Sequence, residues 1–216
     1  MGKLILVRHG RTVLNTTDEH ERLRGWLEVP LDSQGLREAE ETALHVARYP
    51  VAQIYTSDLL RARQTAAAVA NATGAPVFSA LNLRPWNVGT LAGQRVTDIL
   101  PILQRLEHEP SEPAPGGESF LSFYERYSLA LRELLLIASR ARRNVVVVTH
   151  VRNLLATPAA LFGGDPSKIP VRGGPKTGSL TWIEQQGKTP RLHVEDLDCC
   201  LPALVELHTQ AVPTVG

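Results

Sequence analysis

The sequence predicts an α/β domain, a three-layer α/β/α sandwich with a mostly parallel central sheet and an antiparallel edge. Three short, continuously apolar runs predict buried parallel strands, at residues 3–7, 52–56 and 145–149. Amphipathic helical stretches lie between and after these runs. Strands that alternate with helices are typical of a parallel sheet covered on both faces. We therefore expect one sheet between two layers of helices.

The first two helices have recognisable boundaries. The first covers residues 33–48 with one apolar face, and Pro50 closes it. The second covers residues 58–72, with Ser57 as a suitable N-cap and Gly74 just past its end. Both helices fall between predicted strands, as a parallel sheet requires.

The second half of the chain adds two further helices and the edge of the sheet. A long helix is predicted at residues 119–142, and a shorter one at residues 152–161 follows the third strand. Residues 179–184 and 191–195 alternate in polarity across a glycine-containing turn. This alternation predicts an antiparallel hairpin at the sheet edge.

We expect a single domain over residues 1–216. Residues 107–117 are rich in proline and glycine, which predicts an exposed irregular loop. The loop or cap over the active site is placed at about residues 94–118, and a C-terminal extension at about residues 197–216. The extension carries several apolar residues, and we expect it to pack as a short helix or to bind a partner.

Composition and charge exclude several classes of protein. Of 216 residues, 43% are hydrophobic and 21% are charged, which excludes disordered and fibrous proteins. Lys and Arg number 23 against 22 Asp and Glu, a formal net charge of +1. No overall field therefore draws the protein to nucleic acid or to an anionic membrane. Any anion-binding site must be local.

The cysteines and the first strand bear on location. The only cysteines, Cys199 and Cys200, are adjacent and match neither a disulfide framework nor a paired-cysteine metal site. The apolar run of the first strand stops at Arg8, too early for a signal peptide or a membrane span. We expect a cytoplasmic protein without a membrane anchor.

Polar residues follow each of the three clearest strands. Arg8 and His9 end the first strand, Arg61 follows the second, and His150 follows the third. Ligands in such sheets bind beyond the carboxyl ends of the strands, so these side chains are expected to converge. Two histidines and two arginines suit a dianionic phosphoryl group and are a poor zinc site. We expect no metal.

Five motifs resemble those of the histidine phosphatase, or phosphoglycerate mutase-like, superfamily, in the order that this family shows. They are residues 8–15 (RHGRTVLN), 30–35 (PLDSQG), 57–66 (SDLLRARQTA), 117–119 (GES) and 148–154 (VTHVRNL). The resemblance spans about residues 3–195, nearly the whole chain. It implies the fold of that superfamily and an enzyme that transfers phosphoryl groups.

The resemblance also implies roles for single residues. His9 is then the nucleophile that takes the phosphoryl group, with Arg8, Arg61 and His150 around the transferred oxygens and Asn15 adding a hydrogen bond. Neighbouring positive charge favours the neutral imidazole that such an attack needs. Arginines and a histidine can stabilise the transferred charge without metal, so no cofactor is expected.

The sequence departs from the family where the catalytic acid is expected, because Pro85 replaces the usual glutamate. Proline cannot donate a proton. Glu118 is the first candidate for a replacement, although it could equally be a first-turn helix residue, and Asp98 is the second. Trp86, next to Pro85, is expected to pack in the core rather than to stack on substrate.

Arg11 and Arg24 replace residues that are commonly Glu and Gln in the family. Both would add positive charge around the mouth of the site, which would suit an acidic substrate, or they could be solvated surface residues.

We predict a phosphatase that hydrolyses phosphate monoesters through a phosphohistidine on His9. One alternative is a phosphoglycerate mutase-type transfer to another hydroxyl. Another is a catalytically weak module that binds phosphorylated ligands, because of Pro85. The partner is a small phosphorylated substrate, with no nucleic acid or membrane, and the protein is expected to be a monomer or a homodimer.

Overall fold

The central sheet has six strands in the computed structural model, which describes residues 2–15, 20–170, 172–186 and 189–195. The strands are β1 (Leu4–Arg8), β2 (Val51–Thr56), β3 (Val77–Ser79), β4 (Asn144–Thr149), β5 (Leu180–Gln186) and β6 (Thr189–Glu195). Their order is β3-β2-β4-β1-β5-β6. The first four in this order pair in parallel, whereas β5 pairs antiparallel with both β1 and β6. The predicted mostly parallel sheet with an antiparallel edge is confirmed.

The described residues form five α-helices. They are α1 (Ser33–Val46), α2 (Leu60–Thr73), α3 (Val96–His108), α4 (Phe120–Arg140) and α5 (Val151–Phe162). The Asp32 side chain caps α1 by accepting a hydrogen bond from the Gly35 amide at 2.8 Å. Ser119 caps α4 in the same way, through the Ser122 amide at 3.1 Å. Four of the five helices were therefore predicted, with ends that differ by a few residues.

The three layers follow from the alternation of side chains along β1 and β4. Ile5 and Val7 face one core, which they share with Ala43 of α1 and Ala66 of α2. Leu4 and Leu6 face the other core, which holds the aromatic residues of α4 together with residues of α3 and α5. Successive residues of a strand point to opposite faces, so a continuously apolar strand buries both. The predicted three-layer sandwich is confirmed.

Helix α3 was missed in the sequence. Val96, Ile99, Leu103 and Leu106 are buried at helical spacing, so the segment has the apolar stripe of a packed helix. The loop was predicted from the proline- and glycine-rich residues 107–117 at its end, and the helix also contains Pro101. The predicted loop or cap over residues 94–118 is therefore partly helical, and its irregular parts are residues 94–95 and 109–118.

Two further predictions concern the C-terminal extension and membrane-spanning helices. The C-terminal extension at residues 197–216, including both cysteines, lies outside the described residues. Within the ranges given above, none of the helices combines the length and the apolar character needed to cross a bilayer.

Candidate active site

The register of β1 and β4 brings two histidines side by side. Arg8 pairs with Thr149, so the next residues of the two parallel strands are His9 and His150. The His9 amide donates to the Thr149 carbonyl at 3.0 Å, and the two ring centroids lie 5.1 Å apart. Both side chains are buried at the carboxyl edge of the sheet. This edge is where ligands bind in open α/β sheets.

The hydrogen bond of His9 selects its tautomer. Its Nδ1 lies 2.7 Å from the Gly10 carbonyl oxygen, which can only accept a hydrogen bond. Nδ1 therefore carries the proton, and Nε2 keeps a lone pair. An imidazole nitrogen with a free lone pair is what nucleophilic attack on phosphorus requires.

The surroundings of His9 also keep it neutral. Burial lowers the pKa of His9 well below 6.5, and the positive charges of Arg61, Arg8 and Arg24 lower it further. A buried imidazole among guanidinium groups loses its proton because the charged form lacks water and is repelled. The ring is therefore neutral at neutral pH.

His150 carries an unusual feature. Among the described residues, neither of its ring nitrogens has a hydrogen-bond partner, although the side chain is 2% exposed. Burial lowers its pKa below 6.5, as do Arg61 and His9. Buried polar groups of native proteins are almost always hydrogen-bonded. An unpartnered pair of nitrogens next to His9 points to a ligand that completes the site.

Arg61 is held by the loop before α1. Its two terminal nitrogens donate to the carbonyl oxygens of Leu27 at 2.8 Å and Gly25 at 2.9 Å. Its Nε has no partner within the described chain, and the side chain is 1% exposed. Burial and the nearby charge of Arg24 lower the pKa of Arg61 to about 9, so the guanidinium stays charged at neutral pH. Such an arginine is fixed before any substrate arrives.

Arg8 and Arg24 add two more guanidinium groups. Arg8 donates to the Pro175 carbonyl. Arg24 contacts the Leu14 carbonyl at 3.3 Å and the Glu21 carboxylate at 3.4 Å, and it is 9% exposed. Burial lowers the pKa of Arg24. Arg24 is thus a buried part of the site rather than a solvated surface residue.

Gly10 and Gly35 fix the loop that carries His9. A Cβ on Gly10 would lie 2.3 Å from the Gly35 carbonyl oxygen, and a Cβ on Gly35 would lie 1.9 Å from the Arg11 carbonyl oxygen. The Gly10 amide also donates to the Thr65 hydroxyl of α2 at 3.1 Å. The backbone of α1 therefore meets the backbone of the loop that carries His9, and α2 reaches the same loop through a side-chain hydrogen bond.

The site opens into a cavity of about 310 Å³. Its charged lining consists of six cations and one carboxylate: Arg8, Arg24, Arg61, Arg152, Arg172, Lys176 and Glu21. Leu23, Trp86, Val88, Val96, Leu103 and Leu155 form an apolar wall. In the part of the chain that the structure describes, Glu21 is the only Asp or Glu in this lining.

Asn15 and Arg11 lie apart from the cavity. The Asn15 side-chain oxygen accepts hydrogen bonds from the Thr12 amide and hydroxyl, both at 3.0 Å, and Asn15 does not line the cavity. Arg11 pairs with Asp32 at 2.8 Å, so its charge is balanced at the start of α1. The hydrogen bond predicted from Asn15 to a phosphoryl group stays a prediction, and Arg11, with a side chain 40% exposed, fits the solvated surface alternative.

Glu118 is not placed to act as the acid. Its Oε1 accepts hydrogen bonds from the Asn87 amide at 2.9 Å and from Arg126 Nη2 at 2.7 Å. These contacts bind the carboxylate beneath the 82–87 segment, and Glu118 does not line the cavity. The structure therefore corrects the prediction that Glu118 donates the proton. Asp98 is also excluded, because it is exposed on α3 and outside the cavity lining.

Pro85 lines the cavity where the sequence led us to expect an acid. Its carbonyl oxygen accepts a hydrogen bond from the Trp26 indole at 2.8 Å. Trp86 is buried edge-to-face against Phe120, with its indole nitrogen on the Glu118 carbonyl at 2.9 Å. It packs in the core, as predicted, and one part of it also lines the cavity.

Four charged residues of the cavity lining were not predicted from the sequence: Glu21, Arg152, Arg172 and Lys176. Glu21 is brought in by backbone pairing, since its carbonyl accepts a hydrogen bond from the Val96 amide at 2.9 Å. Arg172 and Lys176 lie on an irregular segment for which no pattern predicts a position. Arg152 could have been noticed, because it follows His150 by two residues in the first turn of α5.

The chain belongs to the histidine phosphatase superfamily (branch 1), whose family model matches residues 4–196. The membership and the type of enzyme that the motifs predicted are thereby confirmed. A glucosyl-3-phosphoglycerate phosphatase of Mycolicibacterium vanbaalenii is 30% identical over 196 residues, which cover 87% of this chain and 85% of that protein. A probable phosphoglycerate mutase of Yersinia enterocolitica is 28% identical over 216 residues, 92% of this chain and 98% of that protein.

Solved structures agree with these relatives. A mycobacterial glucosyl-3-phosphoglycerate phosphatase in complex with VO3 superposes with a TM-score of 0.75 at 29% identity, over 90% of this chain and 98% of that one. A second structure, that of a mycobacterial hydrolase, also gives a TM-score of 0.75, at 26% identity over 91% of this chain and 98% of that one. The phosphoglycerate mutase-like fold is confirmed.

Proposed function

We propose that the protein is a phosphatase that hydrolyses phosphate monoesters of small molecules through a phosphohistidine on His9. One observation carries the proposal. A buried imidazole has its Nδ1 proton fixed on a carbonyl, and it lies among Arg8, Arg24 and Arg61 beside the unpartnered His150. Phosphoryl transfer depends mainly on positioning and on stabilising charge, which this arrangement supplies.

In the first step, the Nε2 lone pair of His9 attacks phosphorus. The P–N bond forms while the ester P–O bond breaks, and the electron pair of that bond stays on the leaving oxygen. The guanidinium groups of Arg8, Arg61 and Arg24 balance the charge on the three remaining oxygens, with charge-assisted hydrogen bonds of about 2.7–2.9 Å. His150 donates a further hydrogen bond from one ring nitrogen.

The leaving oxygen needs a proton when it belongs to an ordinary alcohol. Glu21 is the carboxyl group that lines the cavity, so we assign it the role that Pro85 cannot fill. The contact of Glu21 with Arg24 keeps the side chain beside the phosphoryl site.

In the second step, a water molecule attacks the phosphohistidine. The new P–O bond forms, the P–N bond breaks, and its electron pair returns to His9 Nε2. Glu21, deprotonated by the first step, takes the proton of the water. Inorganic phosphate leaves, and the enzyme returns to its starting state without a cofactor.

A mutase is the second candidate, because a probable phosphoglycerate mutase is among the relatives. The two reactions share the phosphohistidine and differ in the acceptor, which is water or another hydroxyl group. The relative at 30% identity is named as a phosphatase, which favours water. The third candidate is a module that binds phosphorylated ligands with little catalytic activity. It rests only on the replacement of the usual acid by Pro85.

Phosphate release from an aryl phosphate and from a panel of alkyl phosphates tests the proposal. We expect wild-type protein to release phosphate and His9→Ala to lose turnover by at least about 10³-fold, because the covalent route is removed. Phosphoryl transfer to an added alcohol, in place of release, would indicate a mutase. Equal activity of His9→Ala and wild type would contradict the proposal.

We also propose that the protein works in the cytoplasm as a monomer or a homodimer. The two adjacent cysteines suit a reducing compartment, and the nearly balanced charge gives no reason for binding to nucleic acid or membrane. The phosphorylated substrate is then a soluble metabolite.

A further inference from the structure

The peptide between Gly10 and Arg11 contacts the imidazole of His9 on one side and a carboxylate on the other. Its carbonyl oxygen accepts the hydrogen bond from His9 Nδ1 at 2.7 Å. Its N–H group, the amide of Arg11, donates to Glu38 Oε2 at 2.8 Å. A chain of two hydrogen bonds therefore runs from the ring of His9 through one peptide to Glu38 on α1.

The Glu38 side chain is held in this orientation by its own helix. It is half-buried, and its second oxygen, Oε1, accepts a hydrogen bond from Gln34 Nε2 at 3.0 Å. Gln34 lies one turn earlier on α1, where side chains four residues apart are neighbours. Glu38 does not line the cavity, and it lies outside the five motifs of the sequence. Its link to the site is the Arg11 amide.

The peptides on either side of this one have other anchors. The Gly10 amide, in the preceding peptide, donates to the Thr65 hydroxyl at 3.1 Å. The Arg11 carbonyl, in the following peptide, accepts from the Asp32 amide at 3.1 Å. The N–H of the peptide between them is held by Glu38. Because glycine has no Cβ, this peptide turns about the Gly10 backbone more easily than most. Glu38 therefore keeps the Gly10 carbonyl directed at the imidazole.

The hydrogen bond on Nδ1 becomes stronger as the phosphoryl group is transferred. When Nε2 bonds to phosphorus, both ring nitrogens carry a substituent, so the ring gains positive charge. A charged donor makes a shorter and stronger hydrogen bond. Hydrogen bonds in a chain polarise one another, so the carboxylate of Glu38 strengthens the carbonyl that accepts from Nδ1. Glu38 thus stabilises the charge of the ring without contacting it.

We propose that Glu38 is a positioning residue for His9. It holds the Gly10–Arg11 peptide so that the carbonyl keeps the proton on Nδ1 and leaves the lone pair of Nε2 for the attack on phosphorus. This inference rests on the proposed phosphatase function and adds a residue that acts on its nucleophile. The hydrogen bond to the Arg11 amide is the main contribution, and the negative charge of the carboxylate adds to it.

Three substitutions of Glu38 separate the hydrogen bond from the charge. Glu38→Gln keeps an acceptor oxygen at the same reach, Glu38→Asp keeps the charge on a shorter side chain, and Glu38→Leu removes both. We expect kcat/KM for an aryl phosphate to fall by about 10-fold or more in Glu38→Asp and Glu38→Leu, the effect of one hydrogen bond to a charged group, and by about threefold in Glu38→Gln. Glu40→Leu, exposed on the same helix, is the matched control and should not change kcat/KM.

Inorganic phosphate tests whether the rest of the site is intact in these variants. Its inhibition constant as a competitor of the aryl phosphate should stay within about threefold of the wild-type value, because the arginines that bind phosphate are unchanged. A general distortion of the site would weaken phosphate binding together with catalysis.

The position of the His9 proton gives a readout that does not depend on turnover. In protein with ¹⁵N-labelled histidine, a protonated ring nitrogen and one with a lone pair have well-separated NMR chemical shifts. The signals of His9 are assigned by their absence from His9→Gln. Wild type and Glu40→Leu should show the proton on Nδ1. Glu38→Leu and Glu38→Asp should show a mixture of the two tautomers, because the carbonyl that selects one of them is no longer held.

The outcomes separate this inference from the proposed function. A wild-type protein that carries the proton on Nδ1 but releases no phosphate would contradict the phosphatase and not the link from Glu38 to His9. Wild-type kcat/KM in Glu38→Leu would overturn the positioning role. So would a lowered kcat/KM with the tautomer unchanged, or with an inhibition constant raised by the same factor. If Glu38→Leu does not fold, equal kcat/KM in Glu38→Gln and Glu38→Asp would overturn it.

Discussion

At the scale of single residues, the environment gives the two histidines different roles. The Gly10 carbonyl fixes the proton of His9 on Nδ1, so Nε2 keeps the lone pair that the proposed attack uses. His150 makes no such contact within the described chain, so either of its nitrogens can meet a phosphoryl oxygen. The same three arginines act on both rings and lower both pKa values. Chemically identical side chains thus differ through one backbone hydrogen bond.

Glu21 gives the first residue-scale prediction. Glu21→Gln should slow hydrolysis of an alkyl phosphate by about 10²- to 10⁴-fold and an aryl phosphate far less, because an aryl oxide leaves without a proton. Steady-state kcat and KM with both esters are the measurement. Loss of the contact with Arg24 alone would instead raise KM for both esters alike.

The control for Glu21 is Glu41→Gln, an exposed position on α1. It should leave both esters unaffected. Equal slowing of the alkyl and aryl esters in Glu21→Gln, or no slowing of either, would mean that Glu21 is not the proton donor.

The residues that the sequence predicted best are those fixed by strand ends. Arg8, His9 and His150 follow apolar strands whose parallel pairing is readable from the pattern, so their convergence could be predicted. Glu118 was wrongly chosen because its ion pair with Arg126 could not be predicted. Arg126 lies eight residues further along the chain, and only the fold brings the two side chains together. Glu21 enters the cavity through backbone pairing with the start of α3, which no local pattern indicates.

At the scale of elements, the contact between α1 and the loop after β1 positions the nucleophile. Gly10 and Gly35 allow backbone to meet backbone there, and the capping carboxylate of Asp32 also pairs with Arg11. Helix α1 therefore begins at the point where the catalytic loop passes. The motif at residues 30–35 has a structural reason in this contact.

Gly35→Ala tests this contact. Its new Cβ would lie 1.9 Å from the Arg11 carbonyl oxygen, so the backbone must move. We expect a loss of more than about 2 kcal/mol in the free energy of unfolding, measured with urea, and a lower kcat. Gly74→Ala is the control, since nothing lies within 4 Å of its Cβ and only its φ of 68° is strained. It should cost about 1 kcal/mol and leave kcat unchanged. Similar losses in both variants would show that the contact is unimportant.

Helix α3 shows where prediction of elements failed. Its apolar stripe was present, but the proline- and glycine-rich residues 107–117 favoured a loop. The helix forms because the stripe is buried in the core that also holds residues of α4, α5 and the sheet, a gain that local propensity does not include. It bears on the site, because Val96 and Leu103 of this helix line the cavity.

At the scale of the whole molecule, stability and site chemistry are linked through the buried histidines. The pKa values of His9 and His150 are lowered in the folded state, whereas the unfolded chain takes up protons near pH 6.5. Stability is therefore full above pH 6.5 and falls as the pH drops. Each histidine contributes a slope of up to about 1.4 kcal/mol per pH unit.

Urea unfolding of wild type between pH 7 and pH 5 measures this slope. His9→Gln should reduce it by up to about 1.4 kcal/mol per pH unit, because one of the two linked groups is gone. Glu107 acts in the opposite direction, since its raised pKa stabilises the fold on acidification, but it is the same in both proteins. Identical slopes for the two proteins would contradict the burial of a neutral His9.

The central claim is that His9 carries the phosphoryl group during turnover, and rapid-quench labelling tests it most directly. Wild-type protein is mixed with ³²P-labelled aryl phosphate for a short time, denatured in alkali, and digested for identification of the labelled peptide. We predict an alkali-stable, acid-labile label on His9, absent from His9→Ala and retained by Glu21→Gln. Label on another residue, or turnover by wild type with no labelled protein at any quench time, would contradict the account.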